Sequence, residues 1–138
     1  MLSIEHGENF EEIDKAADEL LTQYDTESGV EYNFKRFSFV ARENDKIVAY
    51  LTGYSYYSEV TINNLVVVKE YRGRGIGKKL IRYTEDYFKG KNFNNINLVT
   101  NAFQAPGFYE KCGFRLEFIR ENKENAKLNK YFFVKYLS

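Results

Sequence analysis

The chain carries a single cysteine, a single proline and a single histidine. No apolar run in it approaches the roughly 20 residues needed to cross a bilayer. One cysteine, Cys112, excludes an internal disulfide and a cysteine-based zinc cluster. The opening Met1-Leu2-Ser3-Ile4-Glu5-His6 has neither the basic segment nor the apolar stretch of a secretory signal. These absences together predict a protein of the reducing cytoplasm with no membrane partner and no metal. One proline set against 12 tyrosines and 12 phenylalanines argues against disorder. No internal repeat or low-complexity tract interrupts the chain. Its 138 residues fit one domain, 1–138, large enough to bury a core.

Net charge is also absent, but only in the sum. Residues 1–31 hold ten acids and one base, Lys15, so that segment is net −9 and the remainder net +9. Such a split separates two surfaces of opposite preference, or simply marks one solvated acidic helix face.

Asn9-Phe10-Glu11-Glu12 has the form of a capping box. Ile13, Ala16, Ala17, Leu20, Leu21 and Tyr24 follow at helical spacing, which predicts a helix ending near Asp25–Gly29. Phe37–Arg42 and Ile47–Tyr54, with polar Glu43–Lys46 between them, read as an antiparallel hairpin. A third strand runs Val60–Val68, and its unalternating Leu65-Val66-Val67-Val68 predicts a central position covered on both faces. From Ile76 the period becomes helical: Ile76, Leu80, Tyr83 and Tyr87 form one lane, Ile81, Thr84 and Phe88 its neighbour. Glu85 and Lys89 are spaced for an i,i+4 ion pair, and Gly90 is a stop. Asn95–Thr100 is then a short strand. This strand–helix–strand order predicts a parallel pair joined by a right-handed crossover. A short helix over Ala105–Lys111 ends at Gly113, and Phe114–Arg120 with Lys130–Leu137 closes the chain as a hairpin.

Between the central strand and the amphipathic helix stand three glycines at alternate positions, in Arg72-Gly73-Arg74-Gly75-Ile76-Gly77-Lys78-Lys79. Without Cβ atoms the backbone can turn sharply and let a ligand approach its amides. Those amides, the free N–H groups of the helix's first turn and the nearby cations form an anion site suited to a pyrophosphate. A Walker A loop is excluded because Arg72 stands at its first glycine and Lys79 at its Ser/Thr. A Rossmann fingerprint is excluded because Lys78 stands at its last glycine. The bland alternative is that the glycines only permit a tight strand–helix junction.

The pattern [R/Q]-x-x-G-x-[G/A] fits as Arg72–Gly77, and in this setting it resembles the pyrophosphate loop of the GCN5-related N-acetyltransferases. About thirty residues on, Asn101-Ala102-Phe103-Gln104-Ala105-Pro106-Gly107-Phe108-Tyr109-Glu110-Lys111-Cys112-Gly113-Phe114 matches that family's N-x-x-x-A-x-x-F-Y-x-x-x-G-F at every fixed position. The run Phe103–Tyr109 looks like a branch of small bacterial acetyltransferases. The resemblance spans roughly residues 36–137. It implies an α/β (α+β) fold: a mixed, mostly antiparallel sheet of six to seven strands with a central splayed parallel pair, flanked by helices. It implies acetyl-coenzyme A as cosubstrate, lying in the splay. Its pantetheine arm would pair with backbone groups of Leu65, Val66, Val67 and Val68, above all Val66 and Val68. Arg72, Gly73, Arg74, Gly75, Ile76, Gly77 and Lys78 would hold the pyrophosphate, and Asn101 the arm or the adenosine diphosphate end.

Acetyl transfer from a thioester needs a deprotonated amine, a stabilised oxyanion and a protonated leaving thiolate. Tyr109 falls where the family places its general acid; in isolation the same residue would read as packing with Phe108 and Phe114. A backbone N–H near Val66 would serve the oxyanion. The strand Val60–Leu65 carries no carboxylate, so Asn63 and Asn64 are expected to orient the acceptor or a water. Glu59 or Glu31 could act as a water-relayed base, or the enzyme could select the neutral amine. Cys112 reads as a small buried hydrophobe, and His6 as a surface residue. The acceptor is a small-molecule or peptide amine, which the acidic first segment suggests is cationic. Neutral overall charge argues against nucleic acid. A non-catalytic acyl-coenzyme A sensor is the alternative, motivated by the missing carboxylate, and the aromatic last strand together with the resemblance suggests a homodimer.

Overall fold

Asn9 opens the first element: its Oδ1 accepts from the Glu12 N–H at 3.1 Å, and α1 follows over Phe10–Glu27. The helix ends as a glycine cap. Gly29 sits at φ 74°, its N–H donates to the Thr26 carbonyl at 3.1 Å, and the Val30 N–H donates to the Asp25 carbonyl at 2.8 Å. That is the double hydrogen bond by which a left-handed residue satisfies the last carbonyls of a helix. The coordinates are a computed structural model describing residues 1–137. By its internal contacts the chain divides into Met1–Asn33 and a larger unit that begins at Phe34.

The larger unit is built on a six-stranded sheet. Its strands are β1 (Lys35–Glu43), β2 (Lys46–Tyr56), β3 (Glu59–Val67), β4 (Asn95–Asn101), β5 (Arg115–Arg120) and β6 (Lys130–Tyr136). They lie in the order β1-β2-β3-β4-β6-β5. Every neighbouring pair is antiparallel except β3 and β4. This is the mixed sheet with a central parallel pair that the resemblance implied. β1 and β2 are joined through Asn44 and Asp45, at φ 52° and 66°. Two left-handed residues in a row make the turn whose twist matches a hairpin, and Asn and Asp tolerate that conformation best after glycine.

Helix α2 (Ile76–Phe88) connects β3 to β4 and buries Leu80, Ile81, Thr84 and Phe88. Against them the sheet presents Leu51, Val60, Ile62, Ile96, Leu98 and Phe133. Each such side chain contributes about 1.5–3 kcal/mol on burial. Thr84 is fully buried yet satisfied, because its hydroxyl donates to the Leu80 carbonyl at 2.8 Å. Tyr83 and Tyr87, in the other lane, remain half exposed and pack their rings on Phe39 at 4.9 and 5.2 Å. The short helix α3 (Gly107–Lys111) adds Tyr109, followed by Cys112 and Phe114, to the same core.

Two expectations are corrected. Glu85 does not pair with Lys89; its carboxylate takes the Lys135 ammonium of β6 at 2.7 Å, a half-buried partner 50 residues away. A partly desolvated pair outcompetes an exposed i,i+4 pair, which is worth only a few tenths of a kcal/mol. The run Leu65–Val68 is not covered on both faces. Leu65 and Val67 pack against the core, whereas Val66 and Val68 stay 41% and 40% exposed.

The β2–β3 ladder slips between Thr52 and Gly53, where Asn63 is the extra residue of a β-bulge. Gly53 is required there. A Cβ on it would stand 2.1 Å from the Thr61 carbonyl oxygen and 2.8 Å from the Phe37 ring. Gly53→Ala is therefore expected to destabilise the protein by about 3 kcal/mol or more, since the obstructing atom is main chain. Urea unfolding followed by circular dichroism measures this; a loss under ~0.5 kcal/mol would mean that the bulge repacks freely.

Candidate active site

The parallel ladder between β3 and β4 is short. Glu59–Ile62 pair with Asn95–Leu98, and there it stops, although β3 continues to Val67 and β4 to Asn101. The bulge at Asn63 falls where the two strands part. Beyond it lies a wedge of about 120 Å³, lined by Asn63, Asn64, Leu65 and Val66 of β3 and by Leu98, Val99 and Thr100 of β4. Gln104 and Tyr109 complete it.

The direction of the main-chain groups in this wedge follows from one hydrogen bond. The Val68 N–H donates to the Val48 carbonyl of β2 at 2.9 Å. Polar groups alternate sides along a strand, so Val66 also faces β2, and the N–H and C=O of Leu65 and Val67 face the wedge. The strand groups available to a guest are thus those of Leu65 and Val67, not of Val66 and Val68 as expected. The Val67 carbonyl already accepts from Arg72 Nε at 3.0 Å.

After β3 a single 3₁₀ turn, Lys69–Tyr71, leads into the glycines. Gly73 and Gly75 lie at φ 78° and 79°, which any side chain would strain, and a Cβ on either would meet nothing within 4 Å. Gly75 caps α2 without a side chain, and the first intrahelical bond runs from the Lys79 N–H to the Gly75 carbonyl at 3.0 Å. The N–H groups of Ile76, Gly77 and Lys78 accordingly have no partner within the helix. Gly77 serves packing instead: a Cβ there would stand 3.3 Å from the Phe108 ring and 3.8 Å from Val67. The backbone is thus left open at Gly73 and Gly75, while Gly77 permits the close strand–helix junction.

A second cavity of about 780 Å³ opens over this turn. It is lined by Leu65, Val66 and Val67, by Arg72, Gly73, Gly75, Ile76, Gly77 and Lys78, and by Tyr109. Motif reading missed Tyr71, Phe103, Gln104, Ala105 and Phe108, which line it too. Four of those five belong to the second motif, and only the fold shows that this motif faces the glycine turn. Leu65, Val66, Gln104 and Tyr109 line both cavities, so the two adjoin. Among the described residues no carboxylate or imidazole lines either one.

Three expected site residues lie elsewhere. Arg74 stacks over the Tyr71 ring at 4.6 Å and donates to the Glu70 carbonyl. Val68 lines neither cavity. Asn101 turns toward the loop before β6, its Nδ2 donating to the Leu128 carbonyl at 3.2 Å, while its N–H donates to Gln104 Oε1 at 2.9 Å. Asn101 therefore orients Gln104 rather than lining the cavity. Glu59, considered as a base, sits at the paired end of β3, where its Oε1 accepts from Asn95 and Asn97 at 3.3 and 3.0 Å.

Tyr109 belongs to the core and also lines both cavities. Its ring meets Phe108, Phe114 and Phe133 at 5.1, 6.0 and 5.9 Å. Among the described residues its hydroxyl has no hydrogen-bond partner. Burial pushes the phenol above its ordinary range, with the Cys112 thiol adding to the effect. Burial likewise raises Cys112, against the pull of Lys78; a thiol held neutral is a poor nucleophile.

The family description "Acetyltransferase (GNAT) family" matches residues 2–114. A curated relative, N-alpha-acetyltransferase 30 of Schizosaccharomyces pombe (strain 972 / ATCC 24843), is 34% identical over 90 residues, which are 60% of this chain. The chain spans 60% of that relative's length. A crystal structure of an acetyltransferase from Bacillus cereus ATCC 14579 superimposes with a TM-score of 0.79 at 28% identity, covering 99% of this chain and 98% of that one. An aminoglycoside 6'-N-acetyltransferase complexed with coenzyme A shares the fold, with a TM-score of 0.65 at 18% identity over 75% of this chain and 73% of its own. With a parallel pair that parts beside a glycine turn, and a family match across most of its length, the chain belongs to the GNAT acetyltransferase family.

Proposed function

We propose that this protein transfers an acetyl group directly from acetyl-coenzyme A to an amine. One observation carries the reading: a cavity over a positive-φ glycine turn adjoins a wedge between diverging strands, and Tyr109 lines both. The residues fit the cosubstrate, since the open space above Gly73 and Gly75 is the room a diphosphate needs against bare backbone. Acetyl-coenzyme A supplies an activated acyl group on a sulfur that can leave.

The chain's own groups do the rest. The N–H groups of Ile76, Gly77 and Lys78 and the positive end of α2 hold the diphosphate, each charge-assisted bond contributing about 1.5–3 kcal/mol. Leu65 and Val67 pair with the pantetheine amides as one strand pairs with another. Arg72 releases the Val67 carbonyl to that guest and turns its charge to the phosphates. Tyr109 keeps its proton at neutral pH and gives it up only as charge grows on the sulfur; the proton shed by the acylated amine, passed through water, restores the phenol. Asn63 and Asn64 orient the acceptor. With no carboxylate or imidazole on either cavity, the amine enters as free base, a form that is about one part in a thousand at pH 7 for a pKa near ~10.4. The acceptor is a cationic small molecule or peptide that reacts at one neutral amine, a reading supported by the net −9 of residues 1–31.

Incubation with acetyl-coenzyme A and a panel of amines, followed by release of free thiol, tests the activity. Turnover is expected, with kcat/KM rising about tenfold per pH unit below the amine's pKa; tight coenzyme binding without turnover at any pH would mean a sensor instead. Tyr109→Phe is expected to lower kcat about 100-fold while acetyl-coenzyme A affinity stays within about twofold of wild type. Gly75→Glu places a carboxylate against the diphosphate and should abolish coenzyme binding in calorimetry with the fold intact; retained binding would remove the turn from the site.

Tyr109 also predicts a pH dependence of stability. Its pKa is raised above 10.0 in the folded protein, so above that pH the unfolded chain loses the proton first. The contribution is complete below 10.0 and disappears as the pH climbs through the folded value. Urea midpoints from pH 9 to 12 should fall more steeply for wild type than for Tyr109→Phe; parallel curves would show an unburied phenol.

A further inference from the structure

On α2, Lys78, Arg82 and Glu85 lie at i, i+4 and i+7 and share one face. That face borders a cavity of about 240 Å³, separate from the wedge, whose opposite wall is Lys111, Cys112 and Gly113 at the end of α3, together with Lys135 of β6. Four cations against one carboxylate leave the lining three positive charges in excess. The carboxylate is already taken: Glu85 accepts from Lys135 at 2.7 Å, and Lys135 also donates to the Cys112 carbonyl at 2.9 Å. Lys78, Arg82 and Lys111 are exposed, and none of them has an ion pair or side-chain hydrogen bond among the described residues. Three unpaired cations converging on one cavity raise each other's energy and are relieved by an anion.

Lys78 also lines the cavity over the glycine turn, so the two sites adjoin at that residue. Resting on the reading of that turn as the diphosphate site, we propose that this second cavity binds the 3'-phosphate of coenzyme A. One ribose separates that phosphate from the diphosphate, and one helical turn, a rise of about 6 Å, separates Lys78 from Arg82. A phosphate monoester carries about −1.5 to −2 charges at pH 7, which Arg82 and Lys111 balance, with Lys78 shared with the diphosphate. Arg82 and Lys111 thereby distinguish coenzyme A from its 3'-dephospho form, while Lys78 serves both phosphate groups.

Calorimetry with coenzyme A and with 3'-dephospho-coenzyme A, on the full chain at low and moderate salt, tests this. Wild type is expected to bind coenzyme A at least tenfold more tightly, with the margin shrinking as salt rises. The double variant Arg82→Ala, Lys111→Ala should bind coenzyme A only as well as the dephospho form, with dephospho affinity changed less than about twofold. Arg82→Lys should retain most of the discrimination. Equal wild-type affinity for the two ligands, or a double variant that weakens both alike, would overturn the 3'-phosphate assignment and leave the turn intact. Failure of wild type to bind either ligand would overturn the reading of the turn, and this proposal with it. Unchanged thermal midpoints in the variants exclude loss of fold as the cause.

Discussion

The site depends on a ladder that stops. A pair of parallel strands ordinarily continues as long as both chains do, because every buried main-chain N–H and C=O must find a partner. Here β3 and β4 share only the stretch from Glu59–Asn95 to Ile62–Leu98 before an extra residue, Asn63, turns β3 aside. That single insertion creates an interior strand edge and directs the Leu65 and Val67 groups into it. The glycine turn then follows at the end of the same strand. Gly53, the only residue type that fits opposite the bulge, is as much a part of this arrangement as the residues that line it.

The charge distribution of the larger unit follows a related economy. Its half-buried ion pair, Glu85 with Lys135, neutralises the carboxylate that would otherwise face Lys78 and Arg82 along α2. The cations on this face are left without an internal counterion, next to the positive end of a helix. Lys135 also spans from α2 to the carbonyl that ends α3, so the walls of the cavity are tied by the group that balances it.

Much of this was legible in the residues. The change of period at Ile76, the polar break at Glu43–Lys46 and the glycines at alternate positions each located an element to within a residue or two. The two motifs identified the family because they report local constraints: backbone φ at Gly73 and Gly75, and a helix start followed by aromatic packing at Phe108 and Tyr109. Three things were hidden because they depend on distant partners. The parity of β3 depends on its register with β2, and no inspection of Leu65–Val68 alone shows which groups face the wedge. Lys135 is 50 residues from Glu85, beyond any helical spacing rule. Asn101, read as a ligand contact from its motif, is engaged by a loop near Leu128 that has no recognisable pattern of its own.

The bond from Arg72 to the Val67 carbonyl has a further bearing on the molecule in its resting condition. An unpaired strand edge is a template on which another chain can add, the first step toward fibrous association. Here the edge is short, its outgoing carbonyl is covered by a guanidinium, and the amides of Asn63 and Asn64 interrupt the apolar groups of its rim. The protein can therefore keep a gap in the middle of its sheet without inviting a foreign strand into it.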